Sequence, residues 1–324
     1  MFRQRCSFIF VSIVTLLYLS VSIYNSSSKR TIMARGIFIG KGAVTGMGAD
    51  VRRRPRGIPV NRELVELAKA AHPNLSISPP DLVHVTSVGW GRRIVDTGNL
   101  EKRRCSVFGK ELVYFFLSRP AYRFGRGDEK NDQLNFFPFV IVLSPAALPP
   151  PYHVYPFDTG AYMSGFYDEV VDPSIYIDDY ELEPNLDSAV RHIEWAFVGP
   201  DEYLDAKIRT GLAGAIPQWR SVAQSWIRIA SLASVGREKP DRRASAIEFA
   251  YGQSIDLRQG HGRLLIFPTQ LLEDPNGKNT AFLEAIQKLN IEFTTYDWSP
   301  NETPDSFADI IEQTLRCHCE ARAA

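Results

Sequence analysis

The amino-acid sequence predicts an α+β fold, because strand-like stretches with a period of two residues occur together with stretches of helical periodicity. Three strand-like stretches are the most informative, and they contain His84, Tyr114 and Glu248. In each of them apolar side chains alternate with others, so we expect the three strands to contribute one face each to a common core. The chain has 324 residues, 44% of them hydrophobic, which is enough for a globular protein of one large or two ordinary domains.

Charge and cysteine content limit the classes of protein that need to be considered. The 37 basic and 37 acidic residues balance, so overall charge gives no reason to expect nucleic-acid binding. The four cysteines are too few for a disulfide scaffold in a chain of this length. We therefore expect the globular part to occupy a reducing compartment.

Residues 6–24 form an uncharged, mostly apolar segment that is just long enough to span a bilayer as a helix, which needs about 20 residues. Basic residues are more numerous after this segment than before it, which favours a transmembrane anchor in the inner membrane with a cytoplasmic body. Two alternatives remain for residues 1–34. The segment could be a cleavable signal, or the start could be mispredicted and a soluble cytoplasmic chain would begin at Met33.

Residues 36–46 look like a strand that runs into a glycine-rich dinucleotide-binding loop. Such a loop needs a helix directly after it, and the Gly and Pro residues of 47–59 prevent one. We interpret residues 35–80 as a basic, flexible lead-in with a short helix at 61–71, in which the arginines of 52–56 belong to a solvated linker.

His84 lies in a strand-like stretch, on the same face as Thr86. The residues that follow, 88–100, are typical of a short helix that ends at a glycine C-cap, Gly98. A histidine in a strand more often has a structural role than a functional one. Its interpretation therefore depends on the other motifs.

A dense aromatic strand covers residues 109–118, with Tyr114, Phe116 and Ser118 on one face. The strand breaks at Pro120, and Tyr122 follows where its ring can fold back over that face. Core packing alone would explain the phenylalanines of this strand but not Tyr122.

Glu248 lies in the third strand, flanked on its own face by Ala246 and Ala250, while the other face is apolar. A carboxylate between two small residues is expected where a ligand lies flat against a sheet and a single side chain reaches it. The alternative is an exposed strand with a solvated glutamate. Glu194 is a second candidate for a catalytic carboxylate, although its surroundings have a helical pattern.

The middle of the chain is less informative. Residues 137–144 are a buried strand, and 155–163 an irregular aromatic and acidic loop that either recognises a substrate or is a surface excursion packed on itself. Residues 187–196 and 201–211 are predicted helical. A further helix at 218–235 carries an apolar stripe formed by Trp219, Val222, Trp226, Ile229 and Ala233. The basic run 237–243 either contacts a phosphate at the mouth of a cleft or is solvated.

A helix at 280–289, a strand at 291–296 and a helix at 305–316 are expected to pack on the body, so that residues 269–324 form no separate domain. Cys317 and Cys319 are potential metal ligands, but no second pair completes a four-ligand set. We predict no metal site.

Together these motifs resemble the H-Y-E layout of the ADP-ribosyltransferase superfamily. The run His84-Val-Thr86, followed by Ile94-Val-Asp-Thr-Gly98-Asn-Leu, is similar to the opening of DarT-like DNA ADP-ribosyltransferases. Ala246-Ile-Glu248-Phe with the later Ile-Asp-Leu is similar to their closing strands. The stretch from Tyr114 to Tyr122 also resembles the poly(ADP-ribose) polymerases, and the resemblance covers residues 81–268 as a catalytic domain. Ser87 stands where some DarT-like enzymes have a second histidine, which leaves the acceptor open.

The resemblance implies a split fold of two facing β-sheets with peripheral helices, and NAD as the substrate bound between the sheets. It implies that His84 and Thr86 hold the adenosine-side ribose and that Tyr114 and Tyr122 hold the nicotinamide ring. Ser118 is a further expected NAD-binding residue, and His84 and Tyr114 are expected to be catalytic together with Glu248. Glu248 suits the reaction itself, because a carboxylate beside the ribose stabilises the positive charge of the transition state.

The predicted activity is transfer of ADP-ribose from NAD to DNA, RNA or protein, in a toxin or phage-defence effector by family analogy. One alternative is an NAD glycohydrolase that depletes NAD. Another is a non-catalytic module of the same fold that binds nucleotide or nucleic acid.

Overall fold

A computed structural model of the chain describes residues 52–122, 127–234 and 240–323, and all structural statements below concern these residues. The apolar segment 6–24 and the glycine-rich segment 36–46 lie outside them. Within the described residues, no helix combines the length and the apolar character needed to cross a membrane.

Strands and helices occur in runs along the chain rather than in regular alternation, as expected for an α+β protein. In chain order they are α1 (Glu63–Ala71), β1 (Leu82–Ser87), α2 (Val88–Thr97), β2 (Asn99–Leu100), β3 (Arg103–Arg104), β4 (Glu111–Leu117), β5 (Pro138–Leu143), β6 (His153–Tyr155), α3 (Thr159–Met163), α4 (Leu186–Phe197), α5 (Pro200–Leu204), α6 (Leu212–Ala215), α7 (Ser221–Ser231), β7 (Glu248–Tyr251), β8 (Ile255–Asp256), β9 (Gly262–Pro268), β10 (Glu273–Asp274), β11 (Gly277–Lys278), α8 (Thr280–Leu289), β12 (Glu292–Tyr296) and α9 (Ala308–Ala323).

One mixed sheet organises the described chain, with the strand order β12-β9-β5-β1-β4-β7-β6 and with β3 added to β4. Its strand pairs are antiparallel except for β12 and β9, which run parallel. The prediction of an α+β fold is therefore confirmed. The short pairs β2-β8 and β10-β11 lie outside this sheet.

The sheet is nearly divided between β1 and β4. These strands share only the pairs Leu82 with Leu117 and Val83 with Phe116, whereas all six residues of β1 pair with β5. We expected two separate facing sheets, and the described strands instead form one sheet with a weak central junction. The two expected sheets form one because two residue pairs are enough to join the halves, while the remaining residues of β1 and β4 diverge.

The two faces of the sheet carry separate cores, as the alternation of apolar residues predicts. Ile247, Phe249 and Tyr251 of β7 belong to the main core, together with most of the helices. Val83 and Val85 of β1 belong to a second core, which α9 closes from the other side. The face of β7 that carries Ala246 and Ala250 belongs to neither of these two cores.

Two glycines determine where α2 ends and how closely it packs on β5. Gly98 ends the helix with φ 67° and ψ 14°, the left-handed C-cap that the sequence predicts. A Cβ at Gly91 would lie 2.1 Å from the Phe139 ring of β5, so only glycine allows this approach. Helix α1 ends at Ala71 as predicted but begins at Glu63, two residues later than expected, and the Asn61 side chain accepts a 2.9 Å hydrogen bond from the N–H of Glu63.

The arginines of 52–56 do not form the flexible, solvated lead-in that we expected. Arg52, Arg53 and Arg54 form ion pairs with Asp168, Asp178 and Asp179, respectively. The partners are acidic residues of the middle segment, residues 153–180. The sequence of the basic cluster alone does not indicate these partners.

The middle segment is likewise no surface excursion. Its strand β6 pairs with β7, and its side chains Phe157, Tyr162, Tyr167 and Tyr180 are fully buried. Trp219, which we placed on the apolar stripe of the following helix, precedes α7 and is 71% exposed. The remaining residues of that stripe are buried as predicted.

The C-terminal elements agree with the predicted helix-strand-helix. Helix α8 has the predicted bounds, β12 extends the sheet, and Ile311 and Leu315 of α9 pack on its second core. The described residues of 269–323 therefore complete the sheet rather than form a separate domain.

Candidate functional site

A cavity of about 1000 Å³ opens where β1 and β4 diverge. Strands β1, β4 and β7, helix α2 and the N-terminal end of α3 contribute to its wall. Polar, charged and aromatic side chains in this wall include His84, Thr86, Trp90, Arg103, Cys105, Tyr114, Tyr122, Asp158, Arg243 and Glu248.

Five of the six predicted site residues line this one cavity: His84, Thr86, Tyr114, Tyr122 and Glu248. The sixth, Ser118, is not among the lining residues, and its predicted contact with the substrate is not supported. Strand β4 ends at Leu117, and Ser118 turns away with φ 52°. Its hydroxyl and its N–H both donate to the carbonyl of Asp81.

Glu248 is the buried carboxylate of the cavity, with 3% of its surface exposed. Thr159 donates a 2.5 Å hydrogen bond to Glu248 Oε1, and the His153 Nε2 atom lies 3.7 Å from the same oxygen. The alternative of an exposed strand with a solvated glutamate is therefore wrong. A buried carboxylate that keeps contact with a cavity is available to a ligand rather than to bulk water.

His84 presents a neutral imidazole to the cavity. Its Nδ1 atom donates to the carbonyl of Tyr114 over 2.8 Å, since a carbonyl can only accept. Burial lowers the pKa of His84 to about 4, so the ring is uncharged near neutral pH. In the neutral ring with a proton on Nδ1, the Nε2 atom is a hydrogen-bond acceptor.

Tyr114 and Tyr122 provide uncharged aromatic surface. The Tyr114 hydroxyl donates to Cys105 Sγ over 2.9 Å, and burial, with the nearby Glu248 and Cys105, raises the pKa of Tyr114 far above its ordinary value. Burial raises the pKa of Tyr122 to about 12. Both phenols are therefore protonated at physiological pH.

Glu194, the second candidate for the catalytic carboxylate, has a structural role. It is buried in α4 and does not line the cavity. Its Oε1 atom accepts hydrogen bonds from the N–H groups of Ser76 and Ile77, at 2.6 and 3.1 Å. Glu194 thereby fixes the chain between α1 and β1.

Arginines occupy another part of the cavity wall. Arg103 lies 3.6 Å above the ring of Trp90, with Arg93 also over this ring at 5.1 Å. Arg243, from the predicted basic run, lines the cavity and forms an ion pair with Asp241. Arg243 of that run is therefore at the cavity, whereas Arg242 does not line it and pairs with α9. The role of Trp90 and Arg103 was not predicted.

Sequence reasoning also missed His153 and Thr159. The only available signal was a short alternation, His-Val-Tyr, after the three prolines 149–151. Among the residues that the structure describes, no group of three His, Cys, Asp or Glu side chains could hold a metal ion.

Comparisons with known proteins identify no relative: no protein-family model, no curated protein and no solved structure matches this chain.

Proposed function

We propose that the protein is an NAD-dependent ADP-ribosyltransferase whose active site is the cavity between β1, β4 and β7. The observation that carries this proposal is the convergence of His84, Thr86, Tyr114, Tyr122 and Glu248 on one cavity, although the chain places them up to 164 residues apart, from position 84 to position 248. We infer that the nearly divided sheet is an ADP-ribosyltransferase-like split sheet.

The properties of the cavity suit NAD. A volume of about 1000 Å³ is at the upper end for ligand sites and accommodates a dinucleotide. The His84 Nε2 atom accepts a hydrogen bond from a ribose hydroxyl, and Thr86 contributes a second polar group beside it. The rings of Tyr114 and Tyr122 hold the nicotinamide, and such ring contacts contribute about 1 kcal/mol each beyond area burial.

The reaction breaks the bond between the nicotinamide nitrogen and ribose C1′. Nicotinamide departs as a neutral molecule with the bonding electron pair, and the positive charge passes to the ribose, as in glycoside cleavage. The Glu248 carboxylate stabilises this charge and accepts the proton of the attacking acceptor hydroxyl, amine or amide. The products are nicotinamide, an ADP-ribosylated acceptor and a proton.

The acceptor decides between this reaction and its closest alternative. If water attacks, the same chemistry makes the protein an NAD glycohydrolase. The arginines Arg93, Arg103 and Arg243 around the cavity favour an anionic ligand, which NAD and nucleic acids both satisfy. A toxin or phage-defence role follows from family analogy alone.

Incubation with NAD labelled in the adenosine part tests the proposal, with DNA, RNA and lysate protein supplied as separate acceptors. We expect label on one acceptor class together with stoichiometric nicotinamide release. Glu248→Gln, which keeps the side-chain shape, is expected to lower the rate at least about 100-fold. Glu194→Gln is the matched control, because it alters a buried carboxylate outside the cavity.

Each other outcome has a defined meaning. Nicotinamide release without label transfer would favour the glycohydrolase, and NAD binding without release would favour a non-catalytic module. Equal activity of the Glu248→Gln and Glu194→Gln variants would refute the assignment of Glu248.

A further inference from the structure

Glu248 belongs to a buried polar group with His153 and Thr159, which neither the resemblance nor the sequence motifs assign. In the β6-β7 ladder, His153 pairs with Ala250 and Tyr155 with Glu248. Paired residues of antiparallel strands share a face, as do residues two apart on one strand. His153 therefore stands diagonally beside Glu248 on the same face, with the small Ala250 side chain leaving space between them.

The imidazole is enclosed on several sides. His153 is 1% exposed, and its ring lies 4.3 Å from the Phe108 ring and 5.0 Å from the Tyr155 ring, centroid to centroid. The Tyr114 ring is 5.9 Å away. Aromatic rings therefore pack against the imidazole on several sides and hold its Nε2 atom 3.7 Å from the Glu248 carboxylate.

Thr159 reaches the same oxygen from another element. It is the first residue of α3, a helix that Asp158 caps by accepting hydrogen bonds from the N–H groups of Gly160 and Ala161. Thr159 itself is fully buried, and because Asp158 caps the helix, the Thr159 hydroxyl is left to donate to Glu248 Oε1. A hydroxyl in a buried site contributes most when its geometry is fixed in advance, and the cap provides this fixation.

We propose that Thr159 and His153 are positioning residues for Glu248, which fix its carboxylate through Oε1 and make Glu248 and His153 titrate as one coupled pair. This inference rests on the proposed ADP-ribosyl transfer. A carboxylate held on one oxygen is oriented before NAD binds, so its charge is in place when the ribose becomes cationic. The pH dependence of the reaction then belongs to the pair and not to Glu248 alone.

Other titratable or charged groups face this pair, and the test must separate them. Tyr114, Tyr155 and Tyr167 surround it, and burial raises the pKa of each, so they stay neutral. The cations are Arg53, which lies 4.7 Å from the Phe108 ring, and Arg243. Cys105 and Asp158 also line the cavity. Asp158 is a carboxylate that acts on Tyr114 together with Glu248, so Asp158→Asn is the variant that tests its share.

The first test needs no NAD. Proton and carbon NMR of histidine-labelled protein follows the ring of His153 through a pH titration, and His153→Gln assigns the signal. Because an anionic neighbour favours the charged ring, Glu248→Gln is expected to lower the His153 titration midpoint by at least about one pH unit, and Asp158→Asn by much less. An unchanged midpoint, or a ring that titrates in neither protein, would overturn the coupling.

The second test measures nicotinamide release between pH 5 and 9. We expect Thr159→Val and His153→Gln to lower kcat about 10- to 100-fold with little change in KM for NAD, since misplacement of a catalytic group acts on the chemical step. Thr159→Ser keeps the hydroxyl and is expected to restore most of the rate. The acid limb of the profile is expected to move in His153→Gln and to stay in place in Thr159→Val.

Controls and outcomes make the two proposals separable. His261→Gln replaces another buried imidazole that does not line the cavity, and it is expected to behave as wild type. A loss of rate in Thr159→Ser as large as in Thr159→Val, or an acid limb that moves only with Asp158→Asn, would refute the positioning role. If the wild-type protein releases no nicotinamide, the proposed function fails, while the NMR titration still decides whether the pair is coupled.

Discussion

At the scale of single residues, the site depends on where small and large side chains alternate. Ala246 and Ala250 flank Glu248 on the face of β7 that lies outside the two main cores, and both are fully buried. A larger residue at either position would displace the rings of Tyr114 or Tyr122, which pack on this face. The carboxylate therefore reaches the cavity because its neighbours are small.

His84 gives a prediction about substrate binding. Its neutral ring donates through Nδ1 to Tyr114 and is left with Nε2 as an acceptor. His84→Leu would remove the hydrogen bond that we propose between this atom and NAD. We expect KM for NAD to rise about 10-fold, the equivalent of about 1.4 kcal/mol, with a smaller change in kcat. Steady-state kinetics measure this, with His261→Leu as the control for loss of a buried imidazole outside the cavity.

The same residue predicts a pH dependence of binding. The pKa of His84 is lowered to about 4 by burial, so the acceptor is available above this value and is lost as the pH falls toward 4. His84 stays neutral between pH 8 and 6, so we expect it to cause no change in the NAD affinity of the Glu248→Gln variant over this range, as measured by calorimetry. Stronger binding at pH 4.5 than at pH 7 would contradict the neutral-acceptor role.

The candidate site could be predicted from sequence only where one side chain stands out in its own strand. His84 and Glu248 interrupt apolar alternations, and Tyr122 follows a strand break, so each leaves a local signal. Thr159 leaves no such signal and His153 only a three-residue alternation, because their importance arises from the 2.5 and 3.7 Å approaches to Glu248 across different elements. Ser118 had the right alternation but lies one residue beyond the end of β4.

At the scale of elements, the divergence of β1 and β4 has a definite hydrogen-bond cause. If the register of Leu82 with Leu117 and Val83 with Phe116 continued, Val85 would lie opposite Tyr114. The Tyr114 carbonyl instead accepts from the imidazole of His84. The side chain satisfies a backbone group that the ladder would otherwise pair, and this allows the strands to separate without an unpaired buried carbonyl.

Gly91 provides the prediction at this scale. Gly91→Ala would place a methyl group 2.1 Å from the Phe139 ring, and α2 would have to move away from β5. We expect the free energy of unfolding to fall by about 1–3 kcal/mol, the usual range for overpacking in a core. Urea denaturation measures this change.

Gly89→Ala is the matched control, because a Cβ there would have its nearest contact at 3.5 Å, an ordinary van der Waals distance. Equal stability of the Gly91→Ala variant and the wild-type protein would show that α2 does not pack on β5 as described.

Long elements with clear end signals could be predicted, whereas short elements that depend on pairing could not. Helix α2 ends at Gly98 and α8 begins after Asn279, whose side chain accepts from the N–H of Phe282. Strand β6 has three residues after a run of prolines, and it is a strand because β7 pairs with it on one side and Leu182 bridges to Val154 on the other. The interpretation of 155–163 as an irregular loop was wrong at its two ends, because Tyr155 belongs to β6 and Thr159–Met163 form α3.

At the scale of the whole molecule, the charged segments join distant parts of the chain. Arg242, which precedes β7, forms ion pairs with Asp309 and Glu312 of α9, and Arg316 pairs with Asp205. The N-terminal arginines pair with the acidic middle segment in the same way. A balanced overall charge therefore conceals local charge complementarity that holds the ends of the described chain to its body.

His192 predicts how the stability of the whole molecule responds to acid. The ring is 0% exposed against Trp226, and neither ring nitrogen has a hydrogen-bond partner among the described residues. Burial lowers the pKa of His192 to about 3, whereas the unfolded chain binds this proton near the ordinary value of 6.5. The free energy of unfolding is therefore unaffected by this histidine above pH 6.5. It decreases as the pH falls from 6.5 toward 3, because the unfolded chain binds a proton that the folded chain does not.

His192→Leu is expected to remove this loss. Between pH 6.5 and 4.5, the free energy of unfolding of the wild-type protein should fall by about 2–3 kcal/mol more than that of the variant, since one pKa unit corresponds to about 1.4 kcal/mol. Urea denaturation at both pH values tests this. Parallel pH dependence of the two proteins would contradict a buried neutral His192.

Nicotinamide release from NAD by the purified protein, compared between wild type and Glu248→Gln, tests the central claim most directly. This claim predicts nicotinamide release that saturates with NAD in the wild-type protein. It also predicts a rate at least about 100-fold lower in the Glu248→Gln variant, which should still bind NAD. Release at the same rate from both proteins, or no NAD binding by either, would contradict it.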